Sequence, residues 1–392
     1  MRAGAIAMYS DGKTISSTDG SNLLFSTGSR ELRAFGQHLP ISTPARGGED
    51  WGSQFQRSVR QALDEARAGG QDNPIVMGAI PFDMREPSCL YVPQAYEWRE
   101  RQAPRAPDGA DRLPALLDQR SIPDEPGFKK AVEQAILNFR HGDIRKVVLS
   151  VMRELRFAGS VDVDSLLDSL AVQNSSGYQF RVPLPDGGEL IGVSPELLLQ
   201  KEGDRFVSNP LAGSARRQPF PEADQATADA LLQSPKDLYE HRVVIDDIRR
   251  VLEPHCAELV IPTSPSVIST AALWHLSTRL HGRLSDPQTS ALQLACRLHP
   301  TPAVCGTPTE QAHKLIRFVE PFERGLFTGM VGWCDSKGDG EWVVTLRCGI
   351  VDREIVRLFA GAGIVEASQP EAEWAETQTK LKTMLNACGL AA

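Results

Sequence analysis

Residues 146–155 read KVVLSVMREL. The β-branched content and the alternation predict a strand that turns Lys146, Val148 and Ser150 to one face and Val147 and Leu149 to the other. Related stretches follow: YQFRVPL at 178–184, ELIGVSPELLLQ at 189–200, FTGMVGWCD at 327–335, EWVVTLRCGIV at 341–351 and EIVRLFAGAGIV at 354–365. Asp-Gly and Gly-Asp turn signals separate several of them, which predicts adjacent antiparallel strands. Helical patterns intervene at 222–253, around 287–298 and at 370–388. On the N-terminal side, Phe55, Val59, Leu63 and Ala66 recur at helical spacing before Gly69-Gly70. Phe128, Val132, Ile136 and Phe139 do the same before Gly142. The polar stretch 99–125, rich in Arg, Asp and Pro, reads as a surface connection and as the best internal boundary. The fold class is α+β, with large antiparallel sheets covered by helices.

The composition narrows the function. Lys and Arg number 42 against 50 Asp and Glu, a formal charge of -8. That balance argues against a surface built for phosphate backbones, although a few buried cations can still hold a small anion. The 7 cysteines fall without CxxC spacing, so neither a disulfide framework nor a zinc site is suggested and a reducing, cytoplasmic setting is expected. The opening MRAGAIAMYSDG does not read as a signal sequence, and no apolar run approaches the roughly 20 residues of a membrane span. There is no GxxxxGK[ST], and no GxGxxG opening a helix.

Several charged residues stand at spacings that carry chemistry. Glu373, Glu376 and Lys380 lie at i, i+3 and i+7, on one helix face. Asp237 and Glu240, in SPKDLYEHRVV, form a second acidic pair at i, i+3. Two such pairs facing one cavity would make an oxygen-rich site for a hard divalent ion, Mg²⁺ foremost; the same rows also suit plain solvated faces. Lys146 is either a solvated strand start or a lysine aimed into a dry pocket, where burial permits general-base chemistry. Glu196 follows the Ser194-Pro195 break. Arg347 sits mid-strand in an apolar run, where a charge requires an acid from protein or ligand. PLAGSARR at 210–217 and LFAGAGIV at 358–365 place glycines where backbone N–H groups can approach an anion. His275 and His299 lie in apolar surroundings without zinc spacing.

In order along the chain, KVVLS, IGVSPELLL, PLAGSARRQP, KDLYEH, LWHLST, LHPTPAVCG, GMVGWCD, EWVVTLRC, LFAGAGIV and EAEWAETQTKLKTML closely resemble the chorismate-utilising enzymes. Within them the resemblance is to isochorismate synthases of the kind that feed catechol siderophores, and VMGAIPFDMREPSCLYVP at 76–93 extends it towards the N-terminus. The resemblance implies one domain over residues 1–392, with 1–120 joining the same sheets and 121–392 carrying the motifs, and two β-sheets packed centrally with helices outside. It implies Mg²⁺-dependent, reversible conversion of chorismate to isochorismate, with water added at ring C2 while the C4 hydroxyl leaves.

By the same resemblance Lys146 matches the base that activates water and Glu196 the acid that protonates the departing hydroxyl. Glu240 and Glu376 match metal ligands, with Asp237 and Glu373 in support. Arg347 and Lys380 match cations for the pyruvyl carboxylate, Gly213, Ser214, Gly361 and Gly363 match donors around the substrate, and His275 matches a histidine near the ring. Anthranilate synthases carry glutamine in place of Lys146 and depend on an amidotransferase partner, which is not expected here. Aminodeoxychorismate synthases carry lysine in place of Ala212. Salicylate synthases carry threonine in place of Ala303, so this alanine argues against pyruvate loss; salicylate synthase is the alternative, and a chorismate-binding protein without turnover the more distant one. Relatives imply a monomer.

Overall fold

The computed structural model describes residues 23–101 and 113–390; the N-terminal segment 1–22 and the middle of the polar stretch lie outside the described residues. The strand Lys146–Phe157 pairs antiparallel with Ile355–Ile364, from Val147 opposite Ile364 to Arg156 opposite Ile355. Along its other edge run Leu116–Ile122 and the short Gly306–Thr307. Seventeen strands join in one continuous network and Leu211–Arg216, Leu273–Ser277 and Ser266–Ser269 form a separate small sheet. Open sheets rarely exceed about ten strands without curling or splitting into layers, and here the network folds into two.

Strand alternation, with a bulge between Leu197 and Leu199, shows how. From one layer Met77, Val331, Val343 and Leu197 point inward, and from the other Leu190, Cys348 and Phe359 meet them in a shared core. The outward residues Val76, Met330, Leu199 and Trp342 pack with Phe55, Val244, Ile248 and Leu292 of the helices Gln54–Ala68, Pro235–Leu252 and Ala291–Leu298. On the opposite side Val147, Leu149, Ile191 and Leu358 pack with Phe128, Val132, Leu166, Ile316 and Leu381. Those come from Glu125–His141, Val163–Gln173, Thr309–Val319 and Pro370–Ala387. This is the α+β arrangement expected from the sequence, with a sheet-on-sheet centre and helices outside.

Three local expectations need correction. The stretch 99–125 is not wholly a connection: Cys89–Glu100 reaches into it, and Leu116–Ile122 is a mostly exposed edge strand on the Lys146 strand. The helical pattern at 222–253 is two helices, Pro221–Leu231 and Pro235–Leu252, because Ser234 caps the second through the Asp237 N–H and Pro235 begins it. Arg347 is not mid-strand: EWVVTLRCGIV divides into Gly340–Val344 and Cys348–Asp352, and Arg347 occupies the gap at φ 47°. Among the described residues, no helix is long and apolar enough to cross a membrane.

Candidate active site

Two strand breaks lie side by side. Glu189–Ser194 pairs with Cys348–Asp352 in one layer, and Leu197–Glu202 pairs with Gly340–Val344 in the other. The chain therefore passes between layers at Pro195-Glu196 and again at Thr345–Arg347. The crossings are tied by Val344 N–H donating to the Glu196 carbonyl at 3.2 Å and Val193 N–H donating to the Arg347 carbonyl at 3.1 Å. At such crossings side chains leave the strict in/out alternation, and Glu196 and Arg347 both turn into a cleft of about 690 Å³ that opens to solvent.

The cleft brings together Glu196, Gly213, Ser214, Glu240, His275, Ala303, Arg347, Gly361, Gly363, Glu376 and Lys380, from segments spread over the whole C-terminal two thirds. Val148, on the Lys146 face of its strand, lines it too, whereas Lys146 itself is fully buried behind the wall. Lys146 Nζ lies 3.0 Å from Glu240 Oε1, off the hydrogen-bond direction. Asp237 and Glu373 stand behind the lining. His299, outside the cleft, is a structural histidine whose Nε2 faces the Phe82 carbonyl at 3.2 Å.

The electrostatics are uneven. Burial pushes the Glu196 carboxyl up to about 7, against the opposing effects of the Leu211 N–H and the charges of Lys146 and Lys380. Burial lowers the Arg347 guanidinium to about 10. Its Nη1 donates to the Lys380 carbonyl at 3.0 Å, which leaves the rest of the fork facing the cleft. His275 is pushed well below its ordinary range by burial and by the cations Arg347 and Lys380, so its ring is neutral, and its buried Nε2 has no partner. Lys380 Nζ donates to the Gly361 carbonyl at 2.8 Å and contacts Glu376 Oε1 at 2.6 Å. Burial opposes ionisation of Glu376, but the Lys380 ammonium outweighs it and holds the carboxyl below its usual range.

The acids have the chemistry of a hard-cation site. Glu240 and Glu376 face the cleft while burial, with Glu240 and Glu376 adding repulsion, raises Asp237; burial and Glu376 likewise raise Glu373. Oxygen donors crowded in this way fit a divalent ion. As they stand, lysines answer them: Lys146 at Glu240, Lys236 at Glu373 at 2.7 Å, and Lys380 at Glu376. No three His, Cys, Asp or Glu among the described residues converge into a ready-formed metal cluster.

Apart from His299, the residues singled out in the sequence thus meet in or behind one cleft. Not singled out were Phe327 and Phe359, stacked with centroids 5.1 Å apart in its apolar wall, and Thr328, at φ 59° beside them. Ring spacing along the sequence is no signal for such a pair, because Phe327 lies in the turn before Met330–Asp335 and Phe359 on the strand Ile355–Ile364.

A cleft between two curled antiparallel layers, with a buried acid near neutrality, a buried lysine and paired cations, is the layout of an enzyme for a small anion. The family model described as chorismate binding enzyme matches residues 92–389, and the chain belongs to that family. Isochorismate synthase EntC of Escherichia coli K12 is 43% identical over 381 residues, covering 96% of this chain and 97% of that protein. Isochorismate synthase DhbC of Bacillus subtilis is 42% identical over 353 residues, covering 88% and 89%. The crystal structure of DhbC from Bacillus anthracis superposes with a TM-score of 0.88 at 43% identity, covering 96% of this chain and 98% of that one. Anthranilate synthase component I of Streptococcus pneumoniae shares the fold at a TM-score of 0.74 and 21% identity, covering 96% and 95%.

Proposed function

We propose that this chain is an isochorismate synthase, an isomerase that converts chorismate reversibly to isochorismate, acting as one catalytic unit in catechol-type siderophore formation. The carrying observation is Glu196: a buried carboxyl held at about 7 beside two cations at the cleft. Such a group keeps its proton near neutral pH and can deliver it to a leaving hydroxyl.

Arg347 and Lys380 bind the pyruvyl carboxylate, with the Ser214 hydroxyl and the Gly361 and Gly363 strand around the substrate. The neutral His275 ring offers the ring substituents a hydrogen bond. Lys146 takes the proton from the water that adds at C2, and Glu196 protonates the hydroxyl departing from C4. One water enters and one leaves, so the reaction balances as an isomerisation. Glu240 and Glu376, supported by Asp237 and Glu373, would hold Mg²⁺, which when bound offsets the repulsion between these acids and a dianion and polarises the substrate carboxylate. The apolar wall of Val148, Phe327 and Phe359 limits water around the ring.

Lys146 supports water rather than ammonia as nucleophile, and no amidotransferase subunit is required. Ala303 supports release of isochorismate without pyruvate loss. The seven cysteines are free thiols, mostly buried, which suits a reducing cytoplasm, and a monomer is the state that relatives suggest. Coupling to an isochorismatase tests the reading: continuous product formation distinguishes turnover from chorismate binding alone.

A further inference from the structure

The edge of the Lys146 strand has a gap. Residues 146–147 pair with Gly306–Thr307, and the pairing with Leu116–Ile122 begins only at Met152. Between them Val148 N–H reaches the Cys305 carbonyl at 2.8 Å, but the Val148 carbonyl and the Ser150 N–H have no strand to meet. Two side chains take that place. Arg324 Nη2 donates to the Val148 carbonyl at 2.8 Å, and the Ser150 N–H donates to Glu320 Oε1 at 2.8 Å. The two side chains pair with each other, Arg324 Nε to Glu320 Oε2 at 2.8 Å. Arg324 Nη1 also donates to the Val304 carbonyl at 2.9 Å and to Thr328 Oγ1 at 3.3 Å. Both side chains are about as buried as the core, at 3% and 4% exposure.

We infer that the Glu320–Arg324 pair is a positioning device for catalysis: a two-residue substitute for a strand that sets Lys146 against the opposite wall of the cleft. The inference rests on the isochorismate synthase reading above. A buried ion pair is a poor way to gain stability, because the desolvation of both ions offsets most of their attraction. It is a precise way to fix geometry, since a planar guanidinium directs several donors along set directions. Here one guanidinium bonds to the strand of the base, to the residue after Ala303, and to the strained Thr328 in the cleft wall. A shift of about 1 Å in a catalytic group can lower turnover about a hundredfold. The substrate-holding groups Arg347 and Lys380 sit on other elements, so binding should change little.

The test compares Glu320→Gln, which keeps an acceptor for Ser150, and Arg324→Lys, which keeps the charge but not the fork, with the unmodified protein. The expected result is that kcat falls about tenfold or more while KM for chorismate stays within about threefold. Arg324 also lines a separate surface depression with Asp83, His313 and Arg317, beside the space that truncation of its side chain would open. Guanidinium added to Arg324→Ala should therefore restore part of the lost kcat. Unchanged kcat in folded Glu320→Gln and Arg324→Lys would overturn the inference, as would a rise in KM alone. Failure of both conservative variants to fold would overturn it too, by making the pair a stability element. If the unmodified protein forms no isochorismate, the reading of function fails instead, independently of the variants.

Discussion

Lys146 Nζ and Glu240 Oε1 lie 3.0 Å apart because Gly363, on the neighbouring strand, leaves them room. A Cβ at Gly363 would stand 2.1 Å from that Glu240 oxygen and 3.1 Å from Lys146 Cε. The proposed base and a proposed metal ligand thus share one gap, which only glycine leaves open.

Gly363→Ala should therefore remove activity without unfolding the chain. The clash is with the far end of a side chain, so Glu240 is displaced and the stability cost stays near 1–3 kcal/mol. Thermal melting should show a modest shift, and product chromatography a loss of about a hundredfold or more. Full activity in the alanine variant would show that Glu240 and Lys146 need not be where they stand.

Glu196 sets two pH effects of the same sign. In the proposed role the protonated form donates, so kcat/KM in the forward direction should decline as pH rises through about 7. For stability, the folded pKa is raised from 4.5 to about 7, so the unfolded chain ionises first and Glu196 lowers stability as pH climbs through that window. At pH 8 the cost is on the order of 3 kcal/mol. Glu196→Gln should be inactive yet more stable than the parent at pH 8, with the gain shrinking towards pH 5. Calorimetry at both pH values checks this; an equal gain at both would contradict the raised pKa.

Removal of divalent ions should abolish conversion, and Mg²⁺ should restore it. Glu376→Gln should weaken the restoration by about tenfold or more, because a carboxylate charge is lost from the ligand set. A Mg²⁺ titration of the melting temperature gives the same comparison without turnover, since an ion that binds only the folded state raises it. Equal titrations for parent and variant would place the ion elsewhere.

Ala303 borders the cleft next to Val304, which Arg324 fixes. Ala303→Thr adds a methyl carbon and a hydroxyl oxygen there and should increase salicylate formation from chorismate, read by chromatography. An unchanged product ratio would remove Ala303 as the determinant of pyruvate retention.

Much of this site was legible in the sequence because its charges sit on regular elements. Lys146 follows strand alternation, and Asp237, Glu240, Glu373, Glu376 and Lys380 follow helical spacing, so each residue's face can be read from its number. What was not legible depends on tertiary structure. The Leu116–Ile122 strand is mostly exposed, so it lacks the apolar alternation that reveals strands. Arg347 stands in a positive-φ gap whose flanks read as one apolar run. Glu320 and Arg324 have the i, i+4 spacing of an ordinary solvated pair, and nothing local shows that both are buried against a strand edge.

The central claim is that Lys146 activates water for addition to chorismate. Chromatography of chorismate incubated with Mg²⁺ and either the parent chain or Lys146→Gln tests it most directly. The parent should give an equilibrium mixture of chorismate and isochorismate with little salicylate, and the variant should bind chorismate but give no isochorismate. Isochorismate from the variant would place the base elsewhere, and abundant salicylate and pyruvate from the parent would contradict the assigned reaction.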